Sequence, residues 1–357
     1  MSLQAGPPLE PPSHPVGHRS STLVDGDRMD RLVPVDAWYP AATTLSGTDV
    51  GGEPAIYEIL PGVGFTAAGI QDAPIADGRH PLILWSHGRT GTRSSYVLFC
   101  EALASRGFIV FAPEHAGDAL GDWIIGAAVD DATNEANRIG DAHFVLNQAL
   151  GLSATVLADA SLRAIAPHVD AERVAAMGHS YGGFTALAIA GGVSAHPSVR
   201  AVAGMQSFTR SLPKTAFESI AVPTMLVVGR QDRTTPPETD ADRAWAKLGA
   251  EPAWRVDVER AGHQACSDVG LYLEVAPTVP DVPDLVRAFV ASMAADVTGT
   301  AGDPWRETVA LHVRLAGAFL QGALGLDADA AERELTIIGA LDGVAISNRG
   351  TFASTPA

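Results

Sequence analysis

Residues Val174-Ala175-Ala176-Met177-Gly178-His179-Ser180-Tyr181-Gly182-Gly183 constrain the fold of this chain more than any other stretch. An apolar run that reads as a buried strand ends in Gly-His-Ser-Tyr-Gly. A small-residue helix pattern follows at once, from Gly183 to Gly191. A serine at the tip of so tight a strand-to-helix turn has a strained backbone. Side chains two positions before and after it would collide with the adjacent strand and helix, and Gly178 and Gly182 remove them. The turn lifts the serine hydroxyl above the sheet edge and leaves the next backbone N–H facing the same space.

The rest of the chain alternates strand-like and helix-like segments. Ser21–Val24 and Leu32–Trp38, separated by Asp25-Gly26-Asp27, predict an antiparallel hairpin. A Gly/Pro-rich loop is expected from Gly47 to Gly78. Buried strands are predicted at Leu82–Trp85, Phe108–Ala112, Val174–Met177, Val199–Met205, Thr224–Val228 and Ala253–Val258. Helices are predicted at Ser94–Arg106, Ala132–Leu150, Asp240–Leu248, Leu285–Ala295 and Trp305–Leu324, with a short one in Ser161–Pro167. Apolar runs separated by amphipathic helices imply an α/β fold with a mostly parallel sheet wound on both faces. The expected organisation is a tail over 1–17, mobile or draped on the surface, a main domain over 18–325 and an extension over 326–357. Within the main domain, 116–131 forms a small lid-like insertion and 305–324 a helix on the flank.

A length of 357 residues and a hydrophobic fraction of 46% suit one large domain with a sizeable core. The net charge of −17 argues against nucleic acid and anionic membranes as partners. No stretch is apolar and long enough for a membrane span. Met1 to Gly17 is proline-rich and lacks the apolar core of a secretory signal, so a cytoplasmic chain is expected. Cys100 and Cys266 make no disulfide framework. His115, His143 and His168 are not spaced as ligands of one metal, and no cofactor is implied.

A serine nucleophile needs a base, and the base needs an orienting acid. Asp232 follows the strand Thr224–Val228 after a short loop, and His263 follows the strand Ala253–Val258 in Glu259-Arg260-Ala261-Gly262-His263. Ser180, Asp232 and His263 thus stand in the order serine, acid, histidine, each after a strand. Read singly, Asp232 caps a turn and His263 is an ordinary histidine; their joint order favours a triad. An oxyanion hole needs two N–H donors. Tyr181, next to the serine, supplies one. The loop Trp85-Ser86-His87-Gly88-Arg89-Thr90-Gly91 supplies the other, with Arg89 the first choice and Thr90 the second. His87 reads as a brace for that loop rather than a base.

These residues resemble the α/β-hydrolase superfamily. Within it they are most similar to bacterial dienelactone-hydrolase-like and platelet-activating-factor-acetylhydrolase-like enzymes. Ala37-Trp38-Tyr39-Pro40-Ala41, Ser86-His87-Gly88 with Arg93 and Tyr96, Arg106 through His115, and Val169-Asp170-Ala171-Glu172-Arg173 carry the narrower likeness, which runs from about Val24 to His263. Two departures stand out. Dienelactone hydrolases have cysteine where this chain has Ser180. The animal phospholipid hydrolases place the acid one strand earlier, where this chain reads Gly204-Met205-Gln206-Ser207. The placement of Asp232 looks more like dienelactone hydrolases and cutinase-type polyester hydrolases.

The resemblance implies a serine carboxylic-ester hydrolase acting on small or medium acyl esters through an acyl-enzyme. Lactone hydrolysis, acetyl-ester hydrolysis and acyl transfer by the same triad are the alternatives. Trp123 reads either as a wall of the acyl pocket, with Thr90, or as a loop anchor. Arg138 and Asp141, spaced i, i+3 on a helix, read as a surface ion pair. Cys266 reads as a small buried hydrophobe.

Overall fold

A computed structural model describes residues 3–43, 51–60, 62–153, 160–275, 284–297 and 304–352. Its strands, in chain order, are β1 (Leu3–Gln4), β2 (Val16–Asp25), β3 (Arg31–Pro40), β4 (Pro54–Leu60), β5 (Val63–Gln71) and β6 (His80–Ser86). They continue as β7 (Ile109–Pro113), β8 (Val169–His179), β9 (Ala201–Met205), β10 (Thr224–Gly229), β11 (Ala253–Val258) and β12 (Val344–Arg349). The helices are α1 (Val97–Ser105), α2 (Leu120–Ile124), α3 (Asp131–Ala149), α4 (Ala160–Arg163), α5 (Tyr181–Ala188) and α6 (Lys214–Glu218). After them come α7 (Ala241–Lys247), α8 (Val269–Val275), α9 (Asp284–Ser292), α10 (Trp305–Ala323) and α11 (Ala328–Gly339).

All the strands join one sheet, ordered β1-β5-β2-β3-β7-β6-β8-β9-β10-β11-β12, with β4 on β5. The run from β7 to β11 is parallel, and β3 and β12 close its two sides antiparallel. Alternation along β6 divides the core. Ile83 and Trp85 face α1 and α10 with Phe99, Leu103, Val313 and Phe319, whereas Leu82 and Leu84 face α3 and α5 with Val145, Leu146, Phe184 and Leu187. Both faces are covered, which is why the central strands β6, β7, β9 and β10 and the second half of β8 read as apolar runs. The chain leaves β6 for β7 on one side and returns to β8 on the other. The crevice at the carboxyl ends of β6 and β8 is therefore the topological switch point, where such sheets place their sites.

Three stretches differ from the sequence reading. The loop expected over Gly47–Gly78 holds the antiparallel pair β4–β5; its first residues, 47–50, lie outside the described residues. Gly62 makes the turn between the two strands at φ 77°, whereas Gly64 and Gly69 within β5 serve close approach. A Cβ at Gly69 would overlap the Tyr57 hydroxyl, and Glu101 of α1 accepts the N–H groups of Ala68 (3.0 Å) and Gly69 (2.7 Å) and the Tyr57 hydroxyl (2.7 Å). The extension after 325 contributes α11 and β12; Phe352 stacks on Trp254 with ring centroids 4.0 Å apart, and 353–357 lie outside the described residues. The helix placed on the flank, α10, instead buries Val309, Val313 and Phe319 in the core on one face of the sheet.

From residue 3 the N-terminal segment joins the sheet, with β1 pairing β5, and then runs against α1. Ala5 donates its N–H to Thr66 O at 2.8 Å, and Glu10 receives a two-pronged bond from Arg106. The hairpin of β2 and β3 is longer than predicted, pairing Val16 with Pro40 and Asp25 with Arg31. Among the described residues no helix is long and apolar enough to cross a membrane.

Candidate active site

β8 ends at His179 and α5 begins at Tyr181, so Ser180 alone makes the turn, at φ 56° and ψ −119°. That conformation is strained for a residue with a side chain. It is held by bonds on both sides: Ser180 N–H donates to Met205 O (3.0 Å), and Ser180 O accepts from Phe184 (3.1 Å) and Phe208 (2.9 Å). A Cβ at Gly178 would overlap the Gly182 backbone, and one at Gly182 would overlap the Ser86 carbonyl. The glycines thus let β6, β8 and α5 meet at backbone distance.

The loops after β10 and β11 bring Asp232 and His263 to this serine. His263 Nε2 lies 3.0 Å from Ser180 Oγ, and His263 Nδ1 lies 2.8 Å from Asp232 Oδ2. Asp232 also accepts the N–H groups of Thr234 and Thr235 at 2.8 Å each and the Thr235 hydroxyl at 2.6 Å. Burial raises the pKa of this carboxyl. The bond and charge of His263, with the Thr235 contacts, outweigh burial and leave it below the ordinary range.

His179, between Gly178 and Ser180, links three loops. It donates Nε2–H to His263 O (2.6 Å) and accepts at Nδ1 from the Tyr96 hydroxyl (2.7 Å), which in turn accepts Gly88 N–H (3.3 Å). Burial first, and the neighbouring His263 second, lower the His179 pKa to about 3 and keep the ring neutral in this role.

Beside Ser180, the N–H of Tyr181 and that of Arg89 make no hydrogen bond among the described residues. The second-choice donor differs: Thr90 N–H is engaged by Asp118 O at 3.0 Å. His87 braces the loop, donating Nδ1–H to Gly88 O (2.7 Å) and accepting His115 N–H at Nε2 (3.0 Å). The Arg89 guanidinium lies 4.4 Å over the Tyr181 ring and is bonded to Asp131 Oδ1 at 2.5 Å.

A cavity of about 60 Å³ opens over Ser180 and His263. Arg89, Thr90, Tyr96 and Leu120 line one side, and Tyr272 of α8 with Val286, Phe289, Val290 and Met293 line the other. Trp123 is not among the lining residues. It is 43% exposed and donates Nε1–H to Asp118 Oδ1 at 3.3 Å. The 116–131 insertion is a compact loop with the single turn α2, fastened by Asp122 Oδ2 to Gly117 N–H and Ala119 N–H. A larger cavity, about 690 Å³, lies under residues 8–16 against α1 and α10 and shares no residue with Ser180, Asp232 or His263.

Arg138 and Asp141 do not form a surface pair. Both are fully buried and point to different partners. Arg138 bonds Asp118 (2.7 Å) and the carbonyls of His87 (2.7 Å) and Gly88 (3.2 Å). Asp141 bonds Arg28 (2.7 Å), Arg31 (2.8 Å) and His115 Nδ1 (3.1 Å). His115 Nε2 in turn meets Ser86 Oγ at 2.7 Å, giving a second, enclosed Ser–His–Asp chain under the loop. Sequence reading missed Thr235, Tyr96 and Asp118 as neighbours of the site and the clamping by Arg138: Thr235 bonds Asp232 only three residues away, but Tyr96 bonds His179 across 83 residues, and Arg138 bonds Asp118 and His87 O across 20 and 51. Cys100 and Cys266 are both buried free thiols, pushed up in pKa chiefly by burial. Among the described residues no three His, Cys, Asp or Glu side chains are grouped to hold a metal ion.

Comparison with known proteins places the fold and the family. Residues 58–273, which include Ser180, Asp232 and His263, match the family described as PETase, PET hydrolase-like. A ferulic acid esterase from Streptomyces cinnamoneus, solved at 2.4 Å, shares the fold: TM-score 0.68 and 23% identity, over 91% of this chain and 94% of that one. The family match spans more than half of the chain, on a doubly wound sheet with a serine elbow at its switch point; the chain belongs to the PET hydrolase-like family of the α/β-hydrolase superfamily.

Proposed function

We propose that this carboxylic ester hydrolase works through Ser180 as nucleophile, His263 as general base and acid, and Asp232 as the orienting acid. The observation that carries the reading is the hydrogen-bonded chain from Ser180 Oγ to His263 Nε2 (3.0 Å) and from His263 Nδ1 to Asp232 (2.8 Å), with the serine on the strained turn. His263 takes the Ser180 proton as Oγ attacks the ester carbonyl, and the Tyr181 and Arg89 N–H groups receive the oxyanion. His263 then protonates the leaving alcohol, and a water deprotonated by His263 releases the acid. Asp232 holds the Nδ1–H tautomer and stabilises the imidazolium.

The walls of the cavity support an uncharged apolar group on the ester. Tyr96, Leu120, Tyr272, Phe289 and Met293 face it, and the one cationic side chain among the lining residues, Arg89, is engaged by Asp131 and Asp118. This favours small or medium acyl or aromatic esters over anionic lactones of the dienelactone type. The family description brings aromatic polyester into the same substrate class. Hydrolysis of a p-nitrophenyl ester series by the wild type and Ser180→Ala tests the reading. The variant should lose on the order of 10⁴-fold or more in turnover. Near-full activity in purified Ser180→Ala overturns it.

A further inference from the structure

The loop after β6 is held by its carbonyls. Arg138 Nη1 donates to His87 O at 2.7 Å and Nη2 to Gly88 O at 3.2 Å. Gly88 O also accepts from His87 Nδ1 (2.7 Å) and Gly91 N–H (3.1 Å). A trans peptide directs its N–H opposite its C=O. The His87–Gly88 peptide shows which way that is: its carbonyl goes to Arg138, and its N–H goes to the hydroxyl of Tyr96, which lines the cavity over Ser180. The Gly88–Arg89 peptide, its carbonyl likewise on Arg138, aims the Arg89 N–H to the cavity side. Gly88 itself lies against the nucleophile, since a Cβ there would stand 3.1 Å from Ser180 Cβ.

Arg138 reaches this position fully buried, from the middle of α3. Its charge is met by Asp118 Oδ2, at 3.0 Å from Nε and 2.7 Å from Nη2, and by Asn134 Oδ1 at 3.2 Å. The planar fork bridges two consecutive carbonyls, which an ammonium group does not reproduce. A cationic donor on an amide oxygen also makes the N–H of that amide a stronger donor.

We propose that Arg138 is a positioning residue of the oxyanion hole: by clamping the carbonyls of His87 and Gly88 it aims and polarises the Arg89 N–H that receives the negative oxygen. The inference rests on the Ser180 reading given above. Arg138 touches no substrate, so its effect belongs to the transition state and not to ground-state binding.

The test is Arg138→Lys, with kcat expressed per Ser180 labelled by a fluorophosphonate probe. On p-nitrophenyl butyrate kcat should fall on the order of 10- to 100-fold, less than or equal to the loss of a whole oxyanion donor, with KM within about twofold. Binding of a trifluoromethyl ketone, which places a charged oxygen in the same hole, should weaken in step with kcat/KM. Arg138→Gln combined with Asp118→Asn removes both charges of the buried pair and the clamp together. It must show the same loss per labelled serine, and it serves where the lysine variant folds poorly. A merely structural arginine would lower the labelled fraction or the Tm and leave kcat per labelled serine and ketone binding unchanged; that result overturns the proposal. Activity surviving in Ser180→Ala would instead overturn the nucleophile assignment, so the two failures are told apart.

Discussion

Ser86 and Gly178 are register partners at the ends of β6 and β8, and the chain that continues from each forms one side of the candidate site. From Ser86 the loop turns through Gly88 and Arg89; from Gly178 it turns through Ser180 into α5. The two turns touch backbone to backbone, because Gly182 of α5 lies directly on the Ser86 carbonyl. The candidate nucleophile and the proposed oxyanion donors thus sit at the ends of adjacent central strands of a sheet buried on both faces.

That contact makes Gly182→Ala a severe change. The added methyl would meet the Ser86 and His87 backbone, which cannot rotate away as a side chain can. The expected cost is about 3 kcal/mol or more. Gly121→Ala on α2 is the control, because nothing lies within 4 Å of its Cβ position and its φ is unrestrictive. It should be neutral or slightly stabilising, by up to about 1 kcal/mol. Urea unfolding of both variants decides the matter, and equal midpoints would sink the packing argument.

The sheet and the Ser180–His263–Asp232 chain are legible in the sequence for the same reason. Most of the parallel strands β6 to β11 are apolar runs, and each of the three residues sits on the turn or in the loop that follows one of these strands, so order along the chain becomes order in space. The clamp on the neighbouring loop is not legible. Arg138 and Asp141 share a helix at a spacing that suggests a pair, but burial gives each a partner far away in sequence: Asp118 and two carbonyls for one, Arg28 and Arg31 for the other. The β4–β5 pair hides because its glycines look like breakers until Tyr57 and Glu101 are seen filling the space they leave.

Ser86, His115 and Asp141 repeat the hydrogen-bond pattern of the candidate triad at 2.7 and 3.1 Å, yet all three are at most 1% exposed. Ser86 ends a strand rather than forming an elbow. Triad distances alone therefore do not define a site; the strained turn and an opening to the surface do.

Burial also sets a pH dependence. His312 on α10 donates Nδ1–H to Thr308 O at 2.8 Å and meets Gln206 Nε2 at 2.9 Å, and burial lowers its pKa to about 4. Between the ordinary value near 6.5 and about 4, the unfolded chain binds a proton here that the folded chain refuses. The contribution of the neutral ring is thus full above the unfolded pKa, falls as pH drops through that window, and is constant below it. In His312→Gln the window disappears. The stability difference between wild type and His312→Gln should shrink by a few kcal/mol between about pH 7 and 4.5. A difference that stays flat across that range would contradict the argument.

The cavity walls make a last prediction, which separates two aromatic side chains near the opening. Phe289 lies on α9 among the residues that line the space over Ser180, with Val286, Val290 and Met293 on the same helix wall and its continuation. Trp123 lies on α2 outside that lining, its indole N–H on Asp118 and its ring 5.7 Å from the Arg89 guanidinium. Phe289→Ala removes a ring from a confined apolar site. The optimum in a p-nitrophenyl ester series should therefore move to longer acyl chains, with kcat/KM for acetate falling and that for octanoate rising roughly tenfold relative to it, as a lost apolar wall of 1–2 kcal/mol requires. Trp123→Ala loosens an anchor of the loop without reshaping the cavity. Its chain-length profile should stay parallel to the wild type, with all rates shifted together. If Trp123→Ala moved the optimum and Phe289→Ala did not, the acyl group would have to bind on the α2 side, against the lining seen over Ser180.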